Sequence, residues 1–134
     1  MAKFELTGLG DIEKMLLNRE TRVEAAVPEM VDAGADELIK AEQEEMERLK
    51  LVDTGDMKKS VGATKLRKTD SGGYKDVYPQ GKDRKGVRNA EKAFVAQYGK
   101  SNLPARPWLT TARAKSGDKV SAAMRKAWEK KVNG

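Results

Sequence analysis

The triplet Asp53-Thr54-Gly55, within "LVDTGDMKKS", is the shortest stretch of this chain with a chemistry attached to it. The same triplet carries the catalytic carboxylate of aspartic proteases, where two copies meet and the paired carboxylates share one proton. One triplet per chain would make this protein half of such a site. In those enzymes, however, the triplet follows a strand in an all-β fold. Here it follows a long acidic segment with helical spacing, and only short extended stretches come after it. The spacing therefore points to a structural role. Asp53, three residues before Asp56, can cap a helical turn in "TGDMKKS", with Gly55 relaxing the backbone beside Thr54.

A second stretch with chemical potential runs from Gly81 to Gly86. It has the frame of a phosphate-binding loop, but Val87 and Arg88 stand where Lys and Ser/Thr are required. What remains is a basic cluster, Lys82, Arg84, Lys85 and Arg88, suited to phosphates or to an acidic protein surface. Mutual repulsion of these four cations predicts a loop that is mobile in the free chain and ordered by an acidic partner.

The chain has no cysteine and no histidine. That removes disulfides, thiolate nucleophiles, His-based triads and all metal sites except carboxylate ones. No nucleophile–base pair or pair of catalytic carboxylates is discernible, so the sequence predicts no enzyme, no cofactor, no metal and no small-molecule substrate. The opening "MAKFELTGLGD" lacks a signal-like apolar stretch, and no run approaches the ~20 apolar residues of a membrane span. A membrane partner is not expected.

Around these motifs the elements read as one α+β domain over 1–134, with a flexible N-terminus at 1–10. Residues 11–17 form a short helix that Asp11 can cap. A longer helix begins near Thr21, its face marked by Val23, Val27, Met30, Gly34, Leu38 and Ala41, and ends near Leu49–Lys50. Pro28 either opens that helix in its first turn or kinks it. Small residues (Ala33, Gly34, Ala35, Ala41) leave room for another element to approach. "SVGATKLRK" and "GGYKDVYP" read as a β-hairpin turned by "TDSGG". A polar basic loop follows at 79–89. "AEKAFVAQYG" fits a short helix stopped by Gly99, or a strand; Ala90, Ala93, Phe94 and Gln97 mark its helical face. Pro107 is placed to start a last helix, interrupted near Ser116-Gly117, with Trp108 and Trp128 in the core. The architecture expected is a long N-terminal helix and a C-terminal helix packed on a small antiparallel sheet.

The formal net charge of +6 hides a division. Residues 1–56 hold 15 acidic and 7 basic side chains, net −8, while residues 57–134 hold 6 and 20, net +14. Opposite charge on two halves suits contact between copies, with Glu42, Glu44, Glu45 and Glu47 as an exposed acidic side of the long helix facing a neighbour's basic half. A basic half also leaves open a nucleic-acid-binding accessory protein.

Three stretches in order, "LVDTGDMKKSV", "VYPQGKDRKGVRNAEKAFVAQYG" and "KSNLPARPWLTTA", together resemble the tail-completion or head–tail joining proteins of long-tailed bacteriophages, the phage morphogenesis family of minor neck and tail components. The resemblance spans roughly residues 9–132. It is carried by Asp53-Thr54-Gly55 with Ser60, by Ala93 to Tyr98-Gly99, and by Pro104, Arg106, Pro107, Trp108 and Leu109. The family usually has an acidic residue before its aromatic–glycine pair and Thr after it; here Gln97 and Lys100 stand there. The resemblance implies a non-enzymatic α+β subunit that joins copies of itself, six expected, in a ring at the neck or the top of the tail. Its further partners would be the tail tube or terminator and the head–tail connector, with nucleic acid incidental. Its location would be the virion, after assembly in the cytoplasm of the bacterial host.

Overall fold

A 40-residue helix, α1 (Leu9–Arg48), carries the other elements along its C-terminal two-thirds. The computed structural model describes residues 9–51, 54–69 and 72–132, with side chains from residue 24 onward. After α1 come α2 (Asp56–Lys59), β1 (Val61–Ala63), β2 (Arg67–Thr69), β3 (Gly72–Tyr74), β4 (Val77–Pro79), α3 (Asn89–Tyr98) and α4 (Trp108–Val132). This is the expected α+β class: two long helices with a small antiparallel β region.

The short helix at 11–17 and the longer one from Thr21 are a single helix, into which Leu9 and Gly10 also fall. Of the flexible N-terminus expected over 1–10, residues 1–8 lie outside the described residues. Pro28 is inside α1 rather than at its start. A proline within a helix forfeits one backbone hydrogen bond and costs ~3 kcal/mol. Pro28 lies on the exposed side of the helix, while Ala26 nearby is fully buried.

α1 ends in a Schellman motif. Leu51 N–H reaches back to the Met46 carbonyl at 2.7 Å and Lys50 N–H to that of Glu47 at 3.1 Å, with Lys50 at φ 58°. Leu51 and Met46 are both buried in the core, the apolar contact that accompanies this motif.

The hairpin exists but is split. β1 pairs with β4 (Val61 opposite Pro79, Ala63 opposite Val77), and β2 pairs with β3 (Arg67 opposite Tyr74, Thr69 opposite Gly72). Between the ladders, residues 64–66 on one arm face residues 75–76 on the other, a bulge of one extra residue. Thr64 closes it by donating its N–H to the Asp76 carbonyl and accepting the Asp76 N–H on Oγ1, both at 2.9 Å.

α4 runs antiparallel to α1 without the interruption expected near Ser116-Gly117; Ser116 is buried within the helix. Lys115 meets Glu45, Met124 meets Gly34, and Lys131 meets Glu29. Met124 Cγ would stand 3.0 Å from a Cβ on Gly34, so the small residues of α1 do admit a close neighbour, and it is α4. The core gathers at the other end, where Met46, Leu51, Met57, Val61, Ala93, Ala96 and Trp108 pack together. Trp108 is thus in the core, against the end of α1 and α3, while Trp128 is only partly buried.

Candidate interaction surface

Four short segments build the region where the quoted motifs meet. The first is the turn after α1. Thr54 Oγ1 accepts the Asp56 N–H at 3.3 Å, and Gly55, at φ 83°, opens α2. Asp53, assigned a capping role from its spacing, lies outside the described residues. Asp56 turns away from its own helix to the 79–89 loop. Its carboxylate accepts Arg84 Nε, Nη2 and backbone N–H at 2.8–2.9 Å. Those bonds hold the Asp56 carboxyl well below the usual carboxylate range.

The second segment is that loop, which the sequence predicts to be mobile. Instead it is closed by hydrogen bonds around Asp83. Asp83 Oδ1 accepts the N–H groups of Lys85 and Val87 at 2.9 Å, and Oδ2 takes Lys92 Nζ at 2.6 Å. The Lys92 bond, then the Val87 N–H, lower the Asp83 pKa. Counting four repelling cations left out the carboxylate at their centre and Asp56 beside it. Lys82 and Arg88 pair through their backbones at the loop's neck.

The third segment is α3, which turns Ala93, Ala96 and Gln97 inward. Phe94, expected on that inward face, lies outside it: Phe94 and Tyr98 are each 64% exposed, their rings 4.8 Å apart and tilted at 52°. The i, i+4 spacing of Phe94 and Tyr98 lets their rings meet on one helix face, while the face that packs inward carries Ala93 and Ala96.

The fourth segment, 99–108, folds back over the end of α3 and takes up its carbonyls. Arg106 N–H donates to the Ala96 carbonyl at 2.6 Å, and Trp108 Nε1 to that of Ala93 at 2.9 Å. Gly99, at φ 73°, makes this return possible; a Cβ there would lie 2.7 Å from the Leu103 carbonyl oxygen. Pro107 supplies the carbonyl for the first hydrogen bond of α4 and so occupies the N-cap, one position before the first helical turn where spacing placed it.

Between these segments lies an open cleft of about 580 Å³. Leu51 and Met57 form one wall with Thr54 and Gly55; Val95, Leu103 and Pro104 form the other, with Lys50, Lys92 and Arg106 at its rim. Two motifs distant in sequence, Thr54-Gly55 and Pro104 with Arg106, therefore line one cleft. Leu103 is 48% exposed.

The four glutamates of α1 do not form an exposed stripe. Glu44 and Glu47 are exposed, Glu47 pairing with Lys58. Glu45 is buried between Arg48 and Lys115, each within 2.8 Å; burial pushes its pKa up, but the bonds from Lys115 and Arg48 outweigh that and lower it. Glu42 is fully buried, with neither carboxylate oxygen hydrogen-bonded among the described residues. Burial pushes its pKa up to about 8, against the pull of Arg113. Alternation along the helix cannot distinguish these positions, because α4 covers a face that composition marks as polar. Part of the charge division is answered within the chain: Lys58–Glu47, Lys75–Asp32, Arg84–Asp56, Lys115–Glu45 and Lys131–Glu29 all join its acidic and basic parts.

Among the described residues, no group of three or more acidic side chains is placed to hold a metal ion, and no helix is long and apolar enough to cross a membrane. No family model, curated protein or solved structure matches the chain.

Proposed function

We propose that the chain is a structural subunit of a phage neck or tail-completion ring, binding copies of itself and the adjoining tail and connector proteins rather than acting as an enzyme. The observation that carries the reading is the exposed Phe94–Tyr98 pair on α3, together with a separate open cleft lined by the two motifs that underlie the resemblance. Exposed aromatic rings and open apolar clefts are both features of protein contact surfaces. The chain's own core is small, and much of it is Ala and Met, so burial between subunits would add apolar area that the single chain lacks. The nucleic-acid alternative keeps most of its cations, although Lys58, Lys75, Arg84, Lys115 and Lys131 are engaged by carboxylates of the same chain; it predicts salt-sensitive binding to duplex DNA, which the ring reading does not.

The test is in vitro joining. Heads and tails from a phage lacking this chain should remain separate, and the purified protein should restore joined particles. A Phe94→Ser/Tyr98→Ser double variant should fold normally and fail to restore them. Joined particles forming equally well without the chain would refute the proposal.

A further inference from the structure

The leading end of α1 has no counterpart in α4. At 1.5 Å per residue, α1 is ~60 Å long and α4 ~37 Å. The two run antiparallel, and α4 reaches its last turn where Lys131 meets Glu29. By length, the first four or so turns of α1 project beyond α4. Within them Leu9, Ile12, Met15 and Leu16 recur at spacings of three and four, so these positions share one helix face. A helical end of this size is marginal alone in water and gains stability by burying such a face.

The cleft lies at the opposite end of α1, beside Lys50 and Leu51. Ile12 and Leu51 are separated by most of the helix, more than ~50 Å, so the chain cannot fill its own cleft with its own leading turns. A second copy can.

We infer that residues 9–17 of one copy dock, as a helix, in the cleft of the next, with the apolar positions against Leu51, Met57, Val95 and Leu103. The charges agree: the segment carries Asp11 and Glu13 against Lys14, and the cleft lining carries Lys50 and Arg106, with Lys92 paired to Asp83. This is helix-in-groove recognition, read here at i, i+3, i+6 and i+7 from Leu9. Donor and acceptor sit at opposite ends of one long helix, so the contact is heterologous and propagates head to tail, closing into a ring if the rotation between copies permits. The inference rests on the proposed self-assembly and names the surfaces that perform it.

The absence of native cysteine makes the contact directly readable. Full-length Ile12→Cys and Leu103→Cys chains, made separately, are mixed under mild oxidation while sedimentation velocity follows assembly of the unmodified protein. Position 103 is half-exposed, so its substitution leaves the core intact. The expected result is a disulfide-linked pair containing one of each chain as the major product. Ile12→Asp and Leu103→Asp should each abolish assembly with melting temperature unchanged. Assembly of the unmodified protein without the mixed cross-link, or with disulfides between two Ile12→Cys chains predominating, would overturn this contact and leave the ring proposal standing. An unmodified protein that stays monomeric at every concentration would remove both.

Discussion

Gln97 on α3 caps α4 across space: its Oε1 accepts the Leu109 N–H at 2.9 Å and the Thr110 N–H at 3.4 Å, while its Nε2 donates to Thr110 Oγ1 at 2.6 Å. Pro107 holds the N-cap position but has no side-chain acceptor for these free N–H groups, so a residue ten positions upstream supplies one. Gln97→Ala should therefore destabilise the fold by ~1–2 kcal/mol in urea unfolding, as loss of an N-cap does. Gln97→Glu keeps the acceptor and adds a charge that the helix N-terminus favours. It should stay close to the parent protein, and an unstable Glu variant would show that the amide donor matters more than the cap.

Lys50 adopts the left-handed conformation where helices ending this way usually carry glycine. A side chain there costs ~1–2 kcal/mol, partly balanced by the greater freedom glycine has in the unfolded chain. Lys50→Gly should raise stability by roughly 1 kcal/mol, read as a higher urea midpoint at unchanged slope.

Glu42 gives stability a pH dependence of definite sign. Its folded-state pKa, about 8, lies above its ordinary value of 4.5, so the folded chain holds this proton more tightly than the unfolded one. The contribution is fully present below pH 4.5 and is lost as pH rises through about 8, at about 1.4 kcal/mol per pKa unit of difference. Arg113 on α4 pulls the Glu42 pKa down without reversing the shift; Glu45 has the opposite pH dependence, because despite its burial the bonds from Lys115 and Arg48 lower its own pKa. Glu42→Gln should flatten the loss between pH 5 and 8 and exceed the parent in stability at pH 8–9. Parallel pH profiles for the two proteins would show that Glu42 is ionised throughout.

Asp56 and Arg84 hold the 79–89 loop against α2 with an ion pair open to solvent, so it should govern order more than stability. Asp56→Asn should make the loop a rapid site of trypsin cleavage at Lys82, Arg84, Lys85 or Arg88, with little change in melting temperature. The lowered carboxyl pKa keeps this anchor ionised through the ordinary Asp range, and it is lost only as pH falls through the lowered value. A loop that resists trypsin equally in both proteins would place the restraint in the Asp83 turn instead.

What the sequence determined by itself was whatever depends on neighbours along the chain. The spacing from Val23 to Ala41 specifies a helix, "TDSGG" a chain reversal, and Gly99 a helix stop, because each is decided within a few residues. The α+β class follows from their order. Tertiary structure decided which surfaces each element spends on the others. The acidic face of α1 looks solvent-exposed until the basic α4 lies against it, burying Glu42 and Glu45 and satisfying within one chain an attraction that charge counting assigns equally well to a neighbour. Phe94 looks buried until the short alanine stripe of α3 is seen pressed close to the core. The cleft between Thr54-Gly55 and Pro104 was not legible at all: each wall is a local motif, but their meeting is a long-range contact with no periodic trace. Local rules carry backbone conformation; only the packed chain shows which faces remain uncovered.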